Sequence, residues 1–103
     1  MTHLVIHTVG TDAASKAESI LAKVESTQYT PDILDALVNA CLSDALAAVS
    51  ATNLGSLRSL HPEVSVSLTT TDEETVRPSL HLSRDTIQRL AEAGATFDFD
   101  PYV

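Results

Sequence analysis

The chain has 103 residues, 44% of them hydrophobic, and only four are aromatic: Tyr29, Phe97, Phe99 and Tyr102. Fourteen acidic residues against six basic ones give a formal net charge of −8. That balance speaks against nonspecific nucleic-acid binding and against attraction to anionic membranes, both of which need a basic face. The length fits a single domain over residues 1–103 with a core of Leu, Val, Ile and Ala. A lone cysteine, Cys41, excludes an internal disulfide. No charged segment followed by an apolar run opens the sequence, so neither a signal peptide nor a membrane span is expected, and the cytoplasm is the default compartment.

Residues Thr2–Val9 alternate as a strand, with Leu4 and Ile6 on one face and His3, Val5, His7 and Val9 on the other. Apolar side chains on both faces mark a central strand. Gly10-Thr11-Asp12 reads as a turn. Ala13, Ala17, Ile20, Leu21 and Val24 then recur at helical spacing, which predicts a helix over Ala13–Ser26. Thr30 is an N-cap and Pro31 fits the first helical position, where its missing amide costs nothing. The long helix that follows carries Ile33, Leu34, Leu37, Val38, Cys41, Leu42, Ala45, Leu46 and Val49 as a wide apolar stripe, with Gly55 as its stop. Cys41 on that stripe is a buried, inert thiol rather than a nucleophile.

Residues Glu63–Thr71 alternate with Val64, Val66 and Leu68 inward, as an antiparallel strand with one wet face. The acidic turn Asp72-Glu73-Glu74 leads back to Leu80–Leu82, which reads as a strand closing a long hairpin. Ser83 caps a helix whose capping box is incomplete, since Thr86 stands where Glu or Gln is usual. Ile87, Leu90 and Ala91 form its apolar face, and Gly94 ends it. In the last strand Ala95, Phe97 and Phe99 alternate with Thr96, Asp98 and Asp100, and Pro101 ends that strand or makes it an edge. Leu80–Leu82 and Ala95–Asp100 are expected as parallel neighbours across this helix. The order β-α-α-β-β-α-β predicts an α+β two-layer sandwich: a ferredoxin-like four-stranded sheet with helices on one face.

Chemistry is sparse. His3 and His7 share a strand face but stand about 13 Å apart along it, too far for one ion. Joined by His81, Asp98 and Asp100 they would make a ligand-binding His/Asp sheet face; the plainer reading is a solvated face with no metal. Asp98 and Asp100 lie about 7 Å apart, a spacing glycosidases use, yet no cleft loops or tryptophan accompany them. The sequence holds no G-x-S-x-G, C-x-x-C, G-x-G-x-x-G or P-loop. Neither an enzyme nor a cofactor is expected.

The tail PSLHLSRDTIQRLAEAGATFDFDPYV resembles the C-terminal end of the bacterial domain-of-unknown-function family numbered 4279. The matching residues are Leu80, Leu82, Ser83, Ile87, Leu90, Ala91, Gly94, Phe97, Asp98, Asp100 and Tyr102, about a quarter of the chain; the N-terminal half lacks the tryptophan-containing segment associated with that family. The resemblance implies a fold and no activity.

Charge, size and the lack of chemistry point to a small acidic protein-binding module. The expected form is an inhibitor of the immunity, antitoxin or phage anti-defence (anti-CRISPR) type. It would present Asp98, Asp100, Asp72, Glu73 and Glu74, with Tyr102 as an aromatic anchor, to a basic protein partner such as a nucleic-acid-binding complex. No direct contact with nucleic acid or membrane is expected. The alternatives are a small-molecule or metal-binding domain on the His face, and a structural homo-oligomer, such as a homodimer paired through the Ile33–Val49 helix.

Overall fold

A computed structural model describes the backbone of residues 2–52, 56–70 and 80–102. The described strands are β1 (Thr2–Thr11), β2 (Glu18–Ser26), β3 (Glu63–Thr70) and β4 (Thr96–Tyr102). The helices are α1 (Pro31–Thr52) and α2 (Arg84–Glu92), with a short 3-10 turn at Arg58–Leu60. The four strands form one mixed sheet in the order β2-β1-β3-β4. β1 pairs antiparallel with both β2 and β3, and β3 pairs parallel with β4. The α+β class and the four-stranded sheet therefore stand, but the order of the described elements is β-β-α-β-α-β and the strand order differs from the ferredoxin-like one.

The first correction concerns Ala13–Ser26. It is a turn followed by a strand, and the hairpin partner of β1, rather than a helix. The reason is a bulge. Thr8 pairs with Ala22 and Val9 with Ile20, so Leu21 is the extra residue. A bulge breaks the alternation of two and leaves Ile20, Leu21 and Val24 apolar at a spacing that imitates a helix. Gly10 makes room for it: a Cβ there would meet Leu21 Cδ1 at 2.9 Å and Leu60 Cβ at 3.2 Å. The turn itself is held by Asp12, whose Oδ1 accepts from the amides of Ala14 (2.8 Å) and Ser15 (3.2 Å).

The second correction concerns Leu80–Leu82, which is not a strand. The parallel neighbour of β4 is β3, and the hairpin expected between Glu63–Thr71 and Leu80–Leu82 is absent. Leu80 is exposed, while Leu82 packs against the core. Three residues of alternation are too short a run to separate a strand from an extended lead-in to a helix cap. Gly55, expected to stop α1, lies outside the described residues.

The core occupies one face of the sheet. Leu4 and Ile6 of β1 and Val64, Val66 and Leu68 of β3 are buried against Leu34, Val38, Cys41, Leu42, Ala45 and Val49 of α1 and Leu90 of α2. Burying each large aliphatic side chain is worth about 1.5–3 kcal/mol, so this stripe is the main attachment of α1. By length and composition α1 would also pass as a membrane span, but one whole face of it is committed to the sheet. Thr8 and Thr86 are the buried polar residues among those described, and Thr8 Oγ1 lies 3.1 Å from Cys41 Sγ. Burial pushes the Cys41 thiol up, away from the reactive thiolate.

The N-terminus of α2 is joined to α1 by a polar seam. Ser83 caps it, its Oγ accepting from the Thr86 amide at 3.2 Å. The capping box lacks its usual acid, and Asp35 of α1 supplies it: the Ser83 amide donates to Asp35 Oδ1 at 2.8 Å. Arg89 extends the seam, donating to Asn39 Oδ1 at 2.6 Å and Ser43 Oγ at 2.9 Å. Asn39 Nδ2 donates to the buried Thr86 hydroxyl. At the other end Gly94, at φ +66°, closes a Schellman motif: its amide donates to the Ala91 carbonyl (3.0 Å) and that of Ala95 to the Leu90 carbonyl (2.9 Å).

Burial alone would raise the Asp35 pKa, but the Ser83 amide, the Thr86 and Ser83 hydroxyls and nearby His81 outweigh it and hold it below the ordinary aspartate value. A carboxylate with a depressed folded pKa contributes stability above its unfolded pKa and loses it as pH falls through the folded one. Asp35→Ala is therefore expected to cost about 1–3 kcal/mol at neutral pH, because a part-buried amide loses its acceptor. In denaturant titrations the gap to wild type should shrink below the ordinary aspartate range; a gap independent of pH would show that the carboxylate charge is not what holds the cap.

Candidate functional site

With both helices on one face, the opposite face of the sheet is left uncovered by the described residues. Its rows follow from the register. One row runs Lys23, His7, Ser65 and Asp98 across β2, β1, β3 and β4. The next runs Glu25, Val5, Ser67 and Asp100. His3 and Thr69 begin a third row that ends at Tyr102, and Ile20, Val9, Glu63 and Thr96 make a fourth. Polar side chains dominate. Ile20, 65% exposed, is the largest apolar exception and stands on the edge strand β2.

The electrostatics of this face are lopsided. On the β1–β2 side Lys23 Nζ lies 2.8 Å from Glu25 Oε1, and His3 Nε2 lies 3.3 Å from Glu25 Oε2. Hydrogen bonds from Lys23 and then His3 hold the Glu25 carboxyl below its usual range. That half is compensated. On the β4 side Asp98 and Asp100 follow each other on one face of an exposed strand, and no described Lys, Arg or His pairs with either. The Asp98 charge pushes the Asp100 carboxyl above the usual aspartate value. Two carboxyls about 7 Å apart along the backbone, their side chains close enough to hydrogen-bond and without a counter-ion among the described residues, make that raised value the expected one.

The expected site residues divide. Asp98 and Asp100 are brought together on the outer face of an edge strand. Tyr102 closes the same strand, opposite Thr69, with its side chain outside the described set. Asp72, Glu73 and Glu74 also lie outside the described residues. The His face is only partly assembled: His3 and His7 do share the open face with Asp98 and Asp100, but β3 separates them, and His81 precedes α2 instead of lying on a strand. Among the described residues no group of three or more His, Cys, Asp or Glu side chains is placed to hold a metal. The α1 stripe, the surface for the homo-oligomer, is buried or half-buried against its own sheet except for Leu46. Lys23 and Glu25 were missed as members of this face because their segment reads as a helix; the signal was the alternation of Ala22 and Val24 with Lys23 and Glu25.

Concavity is modest. A hollow of about 130 Å³ by the β1–β2 turn is lined by Gly10, Asp12, Ser15, Ser19, Leu21 and Leu60, and a wider, shallow one of about 380 Å³ lies against His3, Glu25, Ser26 and Thr27. Small-molecule pockets run from about 300 to 1,000 Å³ and close around most of the ligand, which the open hollow beside His3 does not. The arrangement suits surface contact better than enclosure of a ligand.

Residues 7–103 match the family described as Domain of unknown function (DUF4279). The match covers nearly the whole chain, so the likeness is not confined to the C-terminal quarter that resembles the family on its motifs. No curated protein and no solved structure matches the chain.

The raised value at Asp100 gives a direct check of the lopsided field. Asp98→Asn should return the Asp100 titration midpoint to the ordinary aspartate range, followed by carboxyl chemical shifts against pH. A midpoint unmoved by the substitution would assign the perturbation to something other than the Asp98 charge.

Proposed function

The chain belongs to the DUF4279 family, a domain of unknown function, and we propose that it works as a non-enzymatic binding module whose acidic β4 side meets a basic protein surface. The observation that supports this reading is the contrast between the two halves of the open face. Glu25 has its cations within the chain, whereas Asp98 and Asp100 have none among the described residues. A partner that brings a Lys or Arg relieves a repulsion already present, and the overall charge of −8 attracts that partner before contact. The finer form of the proposal is an inhibitor in the cytoplasm that occupies a surface its target reserves for phosphate. Carboxylates spaced along a strand offer such a surface alternating negative charges, much as a nucleic-acid backbone does.

The experiment compares immobilised wild-type protein with the Asp98→Lys/Asp100→Lys variant against proteins of the source cells. Wild type is expected to retain a basic protein at low salt and release it at high salt, since exposed charge pairs are screened. The variant should lose that protein while its circular dichroism stays unchanged, because both positions are exposed. Equal retention by the variant would sink the role of β4.

A further inference from the structure

The open face ends at β4, and the outer side of β4 has no strand beside it among the described residues. Its main-chain groups can be assigned. The Thr96 amide donates to the Pro62 carbonyl at 3.0 Å, which fixes the phase of the parallel ladder. Alternate residues of a strand pair to opposite sides, so Thr96, Asp98 and Asp100 turn their amides to β3, and Phe97 and Phe99 turn theirs to the free edge. Pro101 falls in the outward set. Its missing N–H therefore removes no bond to β3, which explains a proline inside a strand.

We propose that this free edge accepts an extended basic segment of a partner as a fifth strand, pairing with the Phe97 and Phe99 main chain and setting alternate Lys or Arg side chains beside Asp98 and Asp100. The inference rests on the basic-partner reading and gives it a binding mode. Charge selects the occupant. A second copy of this chain would bring Asp98 and Asp100 against their own kind, and like charges directly opposite destabilise a pair. A segment with Lys or Arg at every second residue places its cations on one face, beside the carboxylates. The other edge is the poorer template: β2 carries the Leu21 bulge, which breaks its ladder, and its Lys23 and Glu25 already neutralise each other.

The test uses the whole protein, labelled with nitrogen-15, and three ten-residue synthetic peptides. One alternates lysine with valine, one has the same sequence with alternate backbone nitrogens methylated so that one edge cannot donate, and one has glutamate for lysine. The lysine peptide should shift the amides of residues 96–100 and 102 most strongly, methylation should weaken binding by about tenfold or more, and the glutamate peptide should not bind. Equal binding of the methylated peptide, with shifts spread over β1 to β4, would overturn strand addition and leave the basic-partner reading standing. If neither lysine peptide bound, nor polylysine at low salt, both would fall together.

Discussion

A four-stranded sheet has two faces to cover, and this chain has two described helices, both packed on the same one. That shortage governs the rest of the molecule. The covered face can be apolar almost throughout, and Leu4, Ile6, Val64, Val66 and Leu68, with Phe97 and Phe99 beside them, make it so. The other must live with water, which is why His, Ser, Thr and charged residues hold most of its rows. Valine at positions 5 and 9 is tolerable there because β1 is central, and flanking strands shield it from the side. The bare face is thus not a defect to be explained by function. What calls for a functional reading is how its charges are distributed.

The elements that were legible in the sequence are those in which local chemistry and tertiary demand agree. Thr30-Pro31 starts α1 as the capping rule requires, with the Ile33 amide donating to Thr30 Oγ1 at 3.1 Å. Glu63–Thr70 alternates because one face is core and the other wet. Ser83 and Gly94 bracket α2. The illegible elements are those set by pairing partners far away in sequence. β2 hides behind its bulge, and a helix-like spacing is all that Ile20, Leu21 and Val24 show locally. The strand order depends on which strand β1 and β3 find beside them, and nothing in Leu80–Leu82 announces that it will pair with neither. The site followed the same division: the acidic pair on β4 was visible as an alternating run, while its compensated counterpart on β2 was not.

The Asp35–Ser83 bond shows how the two helices become one layer. A capping box usually closes within a single helix, the acid three residues after the cap reaching back to the cap amide. Here Thr86 occupies that place, and its hydroxyl turns instead toward Ser83 and Asn39. The vacant task passes to α1. The cost of a weaker local cap is thereby converted into a tertiary contact, since α2 has its N-terminal amide fully served only when it sits beside α1. Arg89 repeats the device further along, spending its guanidinium on Asn39 and Ser43. With Thr86 and Leu90 the buried residues of α2, its attachment is polar to a degree that the hydrophobic pattern does not reveal.

The same logic separates protection from recognition at β4. An exposed edge invites pairing with any chain, and charged side chains or proline are the usual defence. Pro101 and the two aspartates supply both, and against a second copy of this acidic chain they act in concert. They do not act alike against other partners. The aspartates repel only negative charge, so they turn a general barrier into a selective one. Pro101 removes a single outward donor at the strand's end and leaves those of Phe97 and Phe99. An edge defended solely against aggregation would gain more from a lysine, which in a chain of net charge −8 would lessen self-repulsion within the fold, than from a second carboxylate beside the first. The pair Asp98 and Asp100 raises that repulsion instead, and a basic strand is the occupant that would relieve it.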